Sequence, residues 1–90
     1  MKTIIEQLRA RRQERGQKQS ELGAKLGLPQ SHISKIEKEL CDPRLSTVRD
    51  MARILDQELM LVPRQMVHAV RALIYGEKED ERRFMPDEED

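Results

Sequence analysis

The sequence has no tryptophan, one tyrosine (Tyr75) and one phenylalanine (Phe84). Aromatic mass therefore cannot build the interior, and any core must be aliphatic. Cys41 is alone, which excludes an internal disulfide and fits a reducing cytosol. The two histidines, His32 and His68, do not combine with Cys41 in any metal-ligand spacing, and there is no glycine-rich phosphate loop. No nucleophile–base pair can be assembled, so the sequence argues against an enzyme and implies neither cofactor nor metal. No apolar run is long enough to span a membrane, and the first residues lack a signal-peptide core. We therefore expect a cytoplasmic protein.

Net charge is also absent, but the zero hides a split. Residues 77–90 carry eight acids against three bases, a net of −5. The preceding 76 residues carry fourteen bases against nine acids, a net of +5. A basic body with an acidic tail fits a nucleic-acid binder with a separate regulatory or partner segment. Charge alone equally allows a tail that only aids solubility. Ninety residues suffice for one small domain, and an aliphatic core of that size is marginal enough for self-association to help. We expect a domain over 1–76 and a disordered acidic tail over 77–90, in which Phe84-Met85-Pro86 is the one apolar island.

What the chain does contain is helical periodicity. The first helix is predicted over 3–15, with Ile4, Ile5 and Leu8 as its buried stripe and Gly16 as its end. The second runs over 19–26. Leu22 and Leu26 share one face, and Gly27 stops it by taking a left-handed turn. Pro29 opens a third helix over 29–38, where a missing N–H is harmless. Ile33 and Ile36 give that helix a buried edge. Its other edge carries Gln30, Ser31, Ser34, Lys35 and Lys38. Those amide, hydroxyl and ammonium groups have the chemistry to read base edges and grip phosphates. Asp42-Pro43 signals a turn, and Lys38 and Arg44 flank that loop. A fourth helix over 45–55 has Leu45, Val48, Met51, Ala52 and Leu55 at core spacing.

Beyond it, Glu58-Leu59-Met60-Leu61-Val62 is a short apolar run closed by Pro63. A residue before proline prefers extended backbone, so we expect a short strand there. A strand needs a partner, and the simplest is its own copy across a twofold dimer. A fifth helix is predicted over 64–75. Met66, Val67, Val70, Leu73 and Ile74 form one apolar stripe on it, part of which, through Val70, would extend the dimer interface. His68 lies off that stripe.

The stretch 17–37, QKQSELGAKLGLPQSHISKIE, resembles the helix-turn-helix of the phage-repressor (XRE) family, and the resemblance extends over roughly residues 4–59. It rests on Gln19, Leu22, Gly27, Gln30, Ile33, Ser34, Ile36 and Glu37, followed by Pro43, Leu45 and Ala52. The departures are Lys18 where a capping threonine is usual, Gly23 where alanine is usual, and Arg11 and Gln17 at positions often apolar. The resemblance implies an all-α, five-helix, lambda-repressor-like DNA-binding domain, in which part of the fifth helix's stripe closes the core. It further implies a buried ion pair between Arg12 and Glu37, and Gln19 bracing Gln30 at the start of the recognition helix. Gln30, Ser31, Ser34 and Lys35 would face bases. Gln19, Lys38 and Arg44 would meet the DNA backbone, while His32 is a surface residue that can also reach phosphate.

The function implied is a sequence-specific repressor that reads a palindromic operator in double-stranded DNA as a homodimer. Within that class the chain resembles HipB-type antitoxins, which pair strands across their dimer, bind their own promoter and restrain a HipA-like kinase toxin. HigA-type antitoxins and stand-alone phage-like repressors remain open, as does a protein–protein adaptor without DNA binding.

Overall fold

The computed structural model describes residues 3–76. The expected disordered tail and its apolar island lie outside the described residues. The chain divides into two units at the Leu59–Met60 boundary. The expected domain 1–76 thus takes in the first unit and the described part of the second.

Four helices make the first unit: α1 (Ile4–Glu14), α2 (Gln19–Leu26), α3 (Gln30–Glu37) and α4 (Leu45–Ile54). Each boundary has a local cause. Thr3 opens α1 with a capping box: its hydroxyl accepts from the Glu6 N–H at 3.1 Å, and the Glu6 carboxylate accepts from the Thr3 N–H at 2.8 Å. Lys18, which has no capping oxygen, opens α2. Here the Glu21 carboxylate supplies half a box by accepting the Lys18 N–H at 2.7 Å. Gly27 ends α2 at φ +72. Pro29 stands one residue outside α3 rather than in its first turn. Its extended backbone (ψ 154) lets its carbonyl accept from the His32 and Ile33 N–H groups.

The core is aliphatic and comes from all four helices: Leu8, Leu22, Ile33, Ile36, Val48, Met51, Ala52 and Leu55 are buried. Ile5, Leu26, Leu28, Cys41, Ile54 and Leu59 pack around them. Helix α3 packs on α1 and α2, and α2 also packs on α4. Two expected core residues are not in it. Ile4 is half exposed and Leu45 is 74% exposed. Both occupy the first position of a helix, before the turn that faces the interior.

Among its described residues the second unit contains one 3-10 turn (Arg64–Met66) running into α5 (Val67–Tyr75), which ends at Gly76. The expected stripe on this helix is present, but none of its residues is buried, and Leu73 and Ile74 are well exposed. Among the described residues, every buried apolar residue lies between Leu8 and Leu55. The described residues contain no strand, so the strand expected over 58–62 is not formed in the single chain. A strand exists only with a ladder partner, and a single chain supplies none here. Met60 and Leu61 are 70% and 100% exposed.

Gly23 sets the closeness of the α2–α3 turn. A methyl group there would lie 2.5 Å from the Leu28 carbonyl oxygen and 3.3 Å from Ile33 Cγ1. The Leu28 N–H in turn donates to the Gly23 carbonyl at 2.8 Å, so the backbone is pinned at this point. Alanine would gain about 1 kcal/mol of helix propensity. Overpacking against backbone costs roughly 1–3 kcal/mol. We expect Gly23→Ala to lower the melting temperature; an unchanged or raised value would mean that the turn relaxes freely.

Candidate nucleic-acid interface

Helix α3 is held by its inner side. Ile33 and Ile36 are fully buried and Glu37 is buried beside them. This fixes which side chains point away. Gln30, Ser31, Lys35 and Lys38 are exposed, and Ser34 and His32 are half-buried. Arg44 is exposed at the start of α4, beyond the 40–43 loop. Lys35 lies in the last turn of α3 and Lys38 caps it, both favourable against the helix dipole. No ion pair among the described residues engages Lys35, Lys38 or Arg44. Their charge is thus available to an anionic partner.

Behind this edge runs a continuous polar chain. Arg12, on α1, donates to the Glu37 carboxylate through Nε at 2.6 Å and Nη2 at 2.9 Å, a two-point ion pair. Its remaining Nη1 donates to the Gln17 carbonyl at 2.7 Å, tying down the loop before α2. Glu37 Oε1 also accepts from Gln19 Nε2 at 2.9 Å. Gln19 Oε1 accepts from Gln30 Nε2 at 2.6 Å. The chain thus begins in the buried ion pair and ends on an exposed side chain at the first turn of α3.

Arg12 with Glu37 and Gln19 with Gln30 are two separate expectations of the sequence reading. It misses the Gln19–Glu37 bond that joins them, which needs α2 and the end of α3 to be seen together. It also misses the role of Arg11, whose Nε donates to the Leu55 carbonyl at 3.0 Å and so satisfies the end of α4. The five expected dimer-interface residues divide. Leu59 packs on the core of the first unit, Met60 and Leu61 are exposed, and Val62 and Val70 are half-buried. Cys41 is a free, half-buried thiol packed beside the core. Among the described residues no cluster of histidine, cysteine or acidic side chains is arranged to hold a metal ion. No helix among them is long and apolar enough to cross a membrane.

Two short helices crossing at a glycine turn, the second presenting a polar and cationic edge from a buried apolar one, define a helix-turn-helix DNA-binding domain. The chain belongs to the helix-turn-helix family, whose profile matches residues 8–61. It is also similar to the "Uncharacterized HTH-type transcriptional regulator y4dL" of Sinorhizobium fredii (strain NBRC 101917 / NGR234), with 44% identity over 71 residues. That match covers 79% of this chain and 36% of the relative, so the chain spans little more than a third of the relative's length. No solved structure matches.

The ion pair is nearly dry, with side-chain exposure of 10% at Arg12 and 2% at Glu37. Removing one partner leaves the other charge buried, which costs about 3–5 kcal/mol. We expect Glu37→Ala to lose stability on that scale in urea denaturation. The double variant Arg12→Met, Glu37→Leu should recover most of it, because apolar replacement removes both desolvation penalties. A cost below about 1 kcal/mol for Glu37→Ala would class the pair with solvated surface bridges.

Proposed function

We propose that this chain is a sequence-specific transcription regulator that represses by occupying operator DNA. One observation carries the reading: the polar edge of α3 is exposed, free of internal ion pairs among the described residues, and anchored through Gln19 to a buried ion pair. A reader of base edges needs side chains that do not waste binding energy on becoming ordered. Gln30, Ser31, Ser34 and Lys35 are the base-reading residues. Gln19, His32, Lys38 and Arg44 position the backbone. The similarity to the Sinorhizobium relative, which is named an HTH-type transcriptional regulator, supports the same class.

The finer reading is a homodimer on a palindromic operator, with two recognition helices roughly 34 Å apart, one turn of duplex. The surface for self-association is the exposed run of Met60 and Leu61, continued by Val62 and, on α5, by Val70. In a dimer the 58–62 segment gains the ladder partner that a single chain lacks. We further propose that the module is a HipB-type antitoxin, autoregulating its operon and restraining a HipA-like kinase toxin, in the cytoplasm and without enzymatic activity of its own. The exposed apolar run after α4 supports this assignment, and a kinase-like reading frame beside the gene would test it.

Gln30→Ala and Lys35→Ala should narrow the gap between operator and random duplex in fluorescence anisotropy. Lys38→Ala and Arg44→Ala should weaken both duplexes alike. Each lost phosphate contact should also flatten the salt dependence by about one unit per protomer on a log–log plot. An operator preference that survives Gln30→Ala and Lys35→Ala would refute the base-reading assignment. Absence of duplex affinity at low salt would leave the adaptor reading instead.

Met60→Asp should convert dimer to monomer in sedimentation. An unchanged mass would remove residues 58–62 from the interface.

A further inference from the structure

The polar chain behind α3 has a direction, and Glu37 imposes it. An ionised carboxylate only accepts hydrogen bonds. Glu37 Oε1 takes one from Arg12 Nη2 and one from Gln19 Nε2, both at 2.9 Å. The Gln19 amide must therefore turn its nitrogen toward Glu37 and its oxygen outward. That oxygen accepts from Gln30 Nε2 at 2.6 Å. One hydrogen of the Gln30 amide nitrogen is thereby committed inward. What Gln30 has left for a ligand is one N–H and its Oε1, a donor beside an acceptor.

In the major groove adenine presents the complementary pair, the N6 donor and the N7 acceptor, whereas guanine presents two acceptors, N7 and O6. Were the chain to run the other way, Gln30 would accept from Gln19 and keep two N–H donors beside one acceptor lone pair, so that the two-donor pattern guanine needs would become available as well. We propose that Glu37 sets the base preference of Gln30, adenine over guanine, by fixing the direction of the hydrogen-bond chain through Gln19. Glu37 and Arg12 are then positioning residues for recognition, although both are buried away from any base. This rests on the DNA-binding reading of Gln30.

The test starts from duplexes selected out of a random pool by the wild-type protein and by Gln30→Ala, which locates the base pair that Gln30 reads. Adenine and guanine are then compared at that position by anisotropy, with the complementary base opposite each. The wild type should prefer adenine roughly tenfold or more. Gln19→Lys replaces the middle amide with a side chain that only donates, to Glu37 on one side and to Gln30 Oε1 on the other. That frees both Gln30 N–H donors for guanine while the second lone pair of Oε1 still serves adenine, so the preference should fall to about threefold or less. Arg12→Met with Glu37→Gln lets residue 37 both donate and accept. The preference should then fall to about threefold or less, with affinity for random duplex and the folded circular dichroism spectrum retained. If that double variant does not fold, Gln19→Lys decides alone, since it leaves the buried pair intact.

A wild type that prefers guanine overturns the proposal. So does a Gln19→Lys protein, or a folded double variant, that keeps the wild-type ratio. A wild type that binds no duplex is a different result and removes the DNA-binding reading itself.

Discussion

The two-point contact between Arg12 and Glu37 is the constraint from which the site follows. It joins the last turn of α1 to the last residue of α3, with Nε and Nη2 of the guanidinium meeting both carboxylate oxygens. An Arg–carboxylate fork is directional, so it fixes rotation of α3 about its axis as well as its distance from α1. Ile33 and Ile36 supply the apolar burial that holds α3 down, but aliphatic packing alone tolerates small shifts and rotations. The ion pair does not. Its worth lies less in net stability, where desolvation offsets the Coulomb term, than in specifying one orientation of the helix.

That division of labour explains why the surface behind the fork is polar rather than apolar. Gln19 is half-buried between Glu37 and Gln30, and it satisfies one group on each. A leucine there would pack, but it would leave the second acceptor site of Glu37 Oε1 empty and Gln30 free to rotate. The arrangement turns a rigid buried charge into an ordered exposed amide in two steps. Arg12 closes the other end on the Gln17 carbonyl, so the loop entering α2 is held by the side chain that orients α3.

Much of this was legible in the residues. Gly16 and Gly27 end their helices at positive φ, as their positions predict. Leu8, Leu22, Ile33, Ile36, Val48, Met51, Ala52 and Leu55 recur at helical spacing and are buried. The misses have physical causes. Helical periodicity counts Leu45 with its stripe, but says nothing about whether the interior reaches the first turn of the helix. The same period marks the apolar stripe of α5, yet spacing identifies a face and not what covers it. The run over 58–62 has strand-like composition, and composition cannot provide a ladder. At the interface, spacing placed the side chains on one edge of α3. The bond from Gln19 to Glu37 was invisible, because it joins the start of one helix to the end of the next.

The glycine turn and the polar chain constrain each other. Gly23 allows the Leu28 carbonyl to come within 2.5 Å of where a β-carbon would sit, drawing the start of α3 toward α2. The same approach brings Gln30 to within 2.6 Å of Gln19, at the opposite ends of their turn-linked helices from Glu37 and Leu26. A hydrogen bond between two neutral amides is worth only about 0.5–1.5 kcal/mol net. It cannot pull two helices together against a steric stop; it can only exploit a separation that packing has already set. The order of causes therefore runs from the missing side chain at Gly23, through the fork at Glu37, to the amide of Gln30. Disturbing either of the first two should reach the reading edge, whereas changing Gln30 should leave the fold intact.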